Sequence, residues 1–133
     1  MNDRKRILVV DDDRDMQRLL NRTLDMEGFD TVIVADGDSA VNLLDKIKPD
    51  LVILDTMIPG LDSFQVIEHM REHSDVPIIM LSTGHEVELL RKALSLGADD
   101  FIRKPFGMRA FVARIRAKLR RSRQKNPVNI SRR

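Results

Sequence analysis

Cysteine, tryptophan and tyrosine are all absent from this chain of 133 residues. Without cysteine, disulfides and thiolate metal sites are excluded, and the cytoplasm is the expected compartment. Five phenylalanines are the only aromatics. No apolar run approaches the roughly 18–20 residues that span a bilayer, so no membrane association is expected. The charged start, Met1-Asn2-Asp3-Arg4-Lys5-Arg6, leads into only four apolar residues, too few for a secretory h-region. Acidic residues are missing after position 100. Residues 101–133 hold 12 Lys/Arg and no acid, whereas residues 1–100 hold 11 Lys/Arg and all 21 Asp/Glu. The formal net charge of +2 therefore conceals segments of −10 and +12. A basic end of this kind reads as a solvated helix face with a tail, or as an approach to nucleic acid. No element that would read a base sequence accompanies it.

What is present is ordinary for a globular domain: 42% hydrophobic and 33% charged residues, in a chain long enough to bury about two-thirds of its unfolded surface. Short apolar runs alternate with helical spacing five times. Ile7–Val10, Thr31–Ala35, Leu51–Leu54, Val76–Leu81 and Phe101-Ile102 read as strands. Stripes at Met16/Leu19/Leu20/Leu24, Ala40/Leu43/Leu44/Ile47, Phe64/Ile67/Met70, Glu86–Leu96 and Phe111/Val112/Ile115/Leu119 read as helices. Five β–α units predict an α/β fold, a doubly wound five-stranded parallel sheet of flavodoxin-like order 2-1-3-4-5. We expect residues 1–121 to form this domain, with 122–133 a basic flexible tail or a linker cut short.

Chemistry gathers where these strands end. The first runs into Asp11-Asp12-Asp13, the third ends on Asp55, the fourth on Ser82, and the fifth is followed by Lys104-Pro105. In an open parallel sheet, that edge is where ligands bind. Capping of the next helix would account for Asp13 and Asp15, but not for Asp55 joining them. A hard divalent cation would, because Mg²⁺ accepts a few carboxylates plus water. A carboxylate can also accept a phosphoryl group as a nucleophile, provided cations offset the charge. Lys104 and Ser82 would supply an ammonium and a hydroxyl.

The segments ILVVDDD, DLVILDTMIPGLDSF, PIIMLST and GADDFIRKPF resemble, in order and spacing, the receiver domain of two-component response regulators. The resemblance covers about residues 5–121 and rests on the four motifs jointly. It implies that Asp55 is the phosphoacceptor, and that Asp11, Asp12, Asp55 and the Met57 main-chain carbonyl hold Mg²⁺ or Mn²⁺. Spacing by itself leaves open whether the acidic pair is Asp11–Asp12 or Asp12–Asp13. The resemblance further implies that Ser82 and Lys104 meet the phosphoryl group, that Phe101 turns inward with Ser82, and that Pro105 follows a cis peptide bond. The expected donor is a sensor histidine kinase or a phosphotransfer protein. The expected output is a changed surface on helix 4, strand 5 and helix 5, which homodimerisation would also use. DNA would be reached only through a further C-terminal domain. Apart from self-phosphorylation and autodephosphorylation, no enzymatic activity is expected.

Three positions depart from the family pattern. Ser63 replaces the usual glycine after Asp62, which predicts a stiffer or differently shaped loop. Thr83 replaces a small alanine and adds a second candidate switch hydroxyl. Ala110 stands where dimerising relatives carry a glutamate, although Asp99, Asp100 and Arg114 remain. His69 and His73 have i, i+4 spacing suited to a metal, yet Glu68, Arg71 and Glu72 around them read as a solvated face. His85 reads as an exposed loop residue. Three alternatives carry distinct requirements. An aspartate-nucleophile phosphatase needs a second aspartate at position 57, which is methionine. A flavin or nucleotide module needs a phosphate loop without the acidic triplet. An unphosphorylated interaction module of the same fold would have no need of the acidic set.

Overall fold

The computed structural model describes residues 4–82 and 87–131, with residues 122–131 as backbone only. Ten elements alternate along the chain: β1 (Arg6–Val10), α1 (Arg14–Met26), β2 (Asp30–Val34), α2 (Gly37–Ile47), β3 (Leu51–Asp55), α3 (Ser63–His73), β4 (Ile78–Ser82), α4 (Val87–Leu96), β5 (Asp100–Arg103) and α5 (Met108–Ser131). The strands are parallel and lie in the order β2-β1-β3-β4-β5. That is the doubly wound topology expected from the sequence. One end differs, because α5 continues as helix to Ser131, past the boundary expected near residue 121. Its Arg, Lys and Gln residues are good helix formers.

Two-residue periodicity divides the strands between two cores. Leu8, Val10, Val52, Leu54, Ile78 and Met80 face one side and pack with Ala40, Leu44, Val66, Ile67, Met70, Leu90 and Ala93 of α2, α3 and α4. Ile7, Val9, Leu51, Ile53, Ile79, Leu81 and Ile102 face the other, against Leu20 and Leu24 of α1 and Phe111, Val112 and Ile115 of α5. Every residue of β3 and β4 is buried, which explains why those strands read as unbroken apolar runs. At roughly 25 cal/mol per Å² of apolar surface, this two-sided burial dominates the fold's stability.

Local signals set where the helices begin. Asp13 caps α1 by accepting from the Asp15 amide at 3.2 Å. Asp36 caps α2 through the Ser39 amide at 2.7 Å. Asp62 and Gln65 form a reciprocal capping box at the start of α3, with bonds of 2.9 and 3.0 Å, a motif that satisfies two otherwise orphaned amides. The start of α2 also carries the loop that follows β3. The Gly37 amide donates to the Pro59 carbonyl at 3.1 Å, and a Cβ on Gly37 would overlap the Leu61 carbonyl. Only glycine permits that approach.

Candidate functional site

β1 and β3 are neighbours at the point where the winding reverses, so their C-terminal ends meet at the mouth of the sheet. Asp11 follows β1, and its amide donates to the Val34 carbonyl at 3.1 Å, extending the ladder by one residue. Asp55 closes β3. Both are buried, Asp11 completely and Asp55 with 5% exposure. Lys104, just beyond β5, reaches across to them. Its Nζ lies 2.6 Å from Asp55 Oδ2 and 3.6 Å from Asp11 Oδ2. Residues 11, 55 and 104 are thus drawn together from three separate strand ends.

The remaining expected residues take defined places around this trio. Asp12 is exposed beside Asp11. Asp13 is exposed as well and serves as the cap of α1, which separates it from the buried carboxylates. Ser82, the last residue of β4, is fully buried. Its carbonyl accepts from the Lys104 amide at 2.7 Å. Met57 is exposed, and its amide donates to Asp55 Oδ1 at 2.8 Å. Phe101 is half-buried against the core on the α3–α4 side. The Lys104–Pro105 peptide is cis. Thr83 and His85 lie outside the described residues.

Electrostatics at this edge are dominated by burial and by like charge. Asp11 is pushed up to about 6, from an ordinary value of 3.8. Burial is the largest cause, and the nearby Asp55 carboxylate adds to it; the Asp13 amide and Lys104 oppose the rise without cancelling it. Burial pulls Lys104 downward, but its hydrogen bond to Asp55 and the two carboxylate charges outweigh that, so its pKa lies above the ordinary 10.5. Asp11 Oδ1 accepts from the Asp13 amide at 3.0 Å. Asp11 Oδ2, also buried, has no hydrogen-bond partner among the described residues.

A buried carboxylate oxygen without a hydrogen bond is costly unless a cation satisfies it. Asp11 and Asp55 offer carboxylate oxygens at this edge, the kind of donor that suits a hard divalent ion such as Mg²⁺. The residues present therefore fit such an ion.

Two contributors escaped the sequence reading. Gln17 Nε2 donates to the Asp11 carbonyl at 2.5 Å, holding the β1–α1 turn in place. Ser63 Oγ, buried, donates to the Asp55 carbonyl at 2.6 Å. Serine in place of the usual glycine at position 63 suggests a stiffer or differently shaped loop, but names no partner for the hydroxyl. On the opposite side of β5, Arg114 pairs with Asp100 at 3.0 Å and donates to the Phe101 carbonyl at 2.8 Å.

Carboxylates converging on one lysine at the mouth of a doubly wound sheet mark the class of signalling domains that switch on phosphorylation of an aspartate. The family model for the response regulator receiver domain matches residues 7–116, and the chain belongs to that family. It is 44% identical over 119 residues to the DNA-binding response regulator MtrA of Mycobacterium tuberculosis, an alignment covering 90% of this chain and 52% of the relative. It is 43% identical over 118 residues to the probable transcriptional regulator ycf27 of Porphyridium aerugineum, covering 89% and 49%. Among solved structures, the BeF3-activated N-terminal receiver domain of Klebsiella pneumoniae RstA matches with a TM-score of 0.83 at 32% identity, covering 87% of this chain and 99% of that one.

The chain spans about half the length of the curated relatives it matches. Those relatives are signalling proteins rather than enzymes in the ordinary sense. Receiver domains are generally Mg²⁺-dependent and take their phosphoryl group from a histidine kinase. Among the described residues, no helix is long and apolar enough to cross a membrane.

Proposed function

We propose that residues 1–121 form a receiver whose Asp55 accepts a phosphoryl group from a histidine kinase or phosphotransfer protein in the cytoplasm. The observation that carries this reading is the 2.6 Å contact between Lys104 Nζ and Asp55 Oδ2, beside a buried Asp11 Oδ2 that accepts no hydrogen bond. An oxygen of Asp55 attacks phosphorus, the phosphorus–nitrogen bond of the donor phosphohistidine breaks, and the departing imidazole nitrogen keeps the electron pair and takes up a proton. Asp11, Asp12, Asp55 and the Met57 carbonyl would hold Mg²⁺ or Mn²⁺. When bound, that ion offsets the negative charge which otherwise keeps carboxylate and phosphoryl oxygens apart.

Lys104 then exchanges a carboxylate partner for a phosphoryl oxygen, and the Ser82 hydroxyl supplies a neutral donor. Thr83 is a second candidate for that donor. The added charge, near −2, is large enough to redistribute two pre-existing conformations that differ by a few kcal/mol. Phe101, half-buried between the core and the surface, is the side chain suited to report the change. The affected surface would be α4, β5 and α5, available to a homodimer partner or an output domain. Because the relatives are named as DNA-binding regulators, a DNA-binding effector in a longer protein is the output we favour. Residues 122–133 would then form the basic connection towards it. Self-phosphorylation from small acyl phosphates and slow autodephosphorylation are the only chemical steps this reading requires.

The test is incubation with acetyl phosphate and Mg²⁺, read by intact mass and by amide NMR with a beryllofluoride mimic. One added phosphoryl group, absent in Asp55→Asn and blocked by chelator, is expected. A wild-type chain that gains no mass and shows no amide shifts with either reagent would favour the unphosphorylated interaction module. Sustained release of phosphate from a phosphomonoester would instead favour the phosphatase.

A further inference from the structure

α3 begins at the carboxylate edge, where Ser63 bonds Asp55. With a rise of about 1.5 Å per residue, its last turn lies roughly 9–15 Å farther along the axis. That turn carries a separate group of metal-ligating side chains. His69, Glu72 and His73 each offer one ligand atom, and these atoms lie within 4.8 Å of one another. Glu72 and His73 are exposed and His69 is half-buried. The two imidazoles stack, their centroids 4.7 Å apart and their planes 22° from parallel.

Two features favour chelation over a merely solvated face. His73 Nδ1 stands 3.1 Å from the His69 carbonyl oxygen. In the neutral tautomer that carries its proton on Nδ1, this contact is a hydrogen bond to the carbonyl and Nε2 keeps its lone pair for a metal. A histidine whose second nitrogen donates to a backbone carbonyl is oriented as metal ligands commonly are. Arg71, the neighbouring cation in sequence, is turned elsewhere. Its guanidinium bonds the Gly97 carbonyl at 3.0 Å, the Ser74 carbonyl at 3.2 Å and Asp99 Oδ2 at 2.9 Å. The charge that argued for a solvated face in the sequence is thus occupied by the turn before β5.

We propose that this turn of α3 binds a transition-metal cation of the Zn²⁺, Ni²⁺ or Cu²⁺ type through His69 and His73, with Glu72 as the third ligand. The spacing is His-x-x-Glu-His, which places both imidazoles one turn apart on one face and recurs in zinc-binding helices. Two imidazole nitrogens select such borderline ions over Mg²⁺, which prefers oxygen. Three protein ligands leave a tetrahedral position for water or for a donor from another molecule.

Isothermal titration of the untagged full chain with Zn²⁺ or Ni²⁺ at about pH 7.5 tests the proposal. Excess Mg²⁺ is included so that the carboxylate edge does not compete. One equivalent should bind in the micromolar range. His69→Ala and His73→Ala should each weaken binding by about tenfold or more, and Glu72→Gln by a smaller factor. Ni²⁺ should broaden the ring-proton signals of two of the three histidines. Absence of binding up to about millimolar metal, or binding that survives both histidine substitutions, overturns the proposal. Either result leaves the phosphoacceptor reading intact.

Discussion

Ser63 Oγ donates to the main-chain carbonyl of Asp55 at 2.6 Å, spanning the seven-residue loop between β3 and α3 from inside the protein. The bond joins the first residue of α3 to the last residue of β3. Removing it should affect both stability and ion binding. Ser63→Ala is expected to cost about 1 kcal/mol in urea denaturation, the usual net value of a neutral hydrogen bond. Ser63→Gly should cost somewhat more, through added loop entropy. Both should weaken Mg²⁺ binding several-fold in a titration. Unchanged denaturation midpoints in both variants would show that the hydroxyl contributes nothing.

Asp11 is held ready for a cation at the expense of the ion-free fold. With its pKa raised from 3.8 to about 6, the folded chain holds this proton more tightly than the unfolded chain does. Stability linked to Asp11 therefore falls as pH rises from about 4 to about 6, and stays low above that window. At 1.36 kcal/mol per unit, the penalty is about 3 kcal/mol. Asp11→Asn should raise the melting temperature of the metal-free protein at neutral pH, flatten its pH dependence between 4 and 6, and abolish Mg²⁺ binding.

The same linkage fixes how Mg²⁺ should act. Stabilisation by Mg²⁺ requires an ionised Asp11, so the rise in melting temperature on adding the ion should be large near pH 7.5 and small near pH 5. Thermal scans with and without Mg²⁺ at the two values decide the matter. Equal shifts at both would mean that the ion binds elsewhere.

Lys104 stands where a bound cation would compete with it for Asp55 and Asp11. Lys104→Ala should destabilise the metal-free protein by about 1–3 kcal/mol, less than a fully buried pair because the lysine side chain keeps 21% exposure. Its pKa is raised, so this contribution is present below 10.5 and disappears as pH climbs through the higher folded-state value. Mg²⁺ should bind the variant at least as tightly as it binds the parent, and restore much of the lost stability. Weaker binding would refute competition.

Gly37 and Gly107 form a matched pair of substitutions. A Cβ at Gly37 would overlap the Leu61 carbonyl and approach Val66 Cγ2 to 2.9 Å, whereas a Cβ at Gly107 would meet nothing within 4 Å. Gly37→Ala should cost about 1–3 kcal/mol and loosen the loop that bears Met57. Gly107→Ala should be neutral or slightly stabilising, through reduced unfolded-state entropy. Equilibrium denaturation of both variants provides the comparison.

The sheet order and the convergence of residues 11, 55 and 104 were legible because each rests on a local signal. Buried parallel strands appear as apolar runs, and the charged residue ending each run points to the sheet edge. Asp13 was likewise legible as a cap, and its exposed position assigns it to α1 rather than to the buried group. Contacts that depend on how loops close were not legible. The Gln17 and Ser63 bonds pair a flexible side chain with a backbone carbonyl six and eight residues away, and no periodicity encodes such pairs. The extension of α5 to Ser131 also escaped, because a polar stretch lacks the apolar stripe by which helices are recognised. Arg71 reaches residues 26 and 28 positions on, as well as the nearby Ser74 carbonyl, a direction visible only in three dimensions.

The anchoring of Arg71 bears on how α4 can move. One guanidinium holds the turn from Gly97 to Asp99, and Asp99 in turn accepts from the Ile78 amide at 2.8 Å. Gly97, with φ of +125°, sits so close to Arg71 that a Cβ there would touch the side chain. The trailing end of α4 is therefore bolted to the sheet. Any displacement of the helix has to be a swing about that fulcrum, with an arc that widens from Leu96 towards Val87.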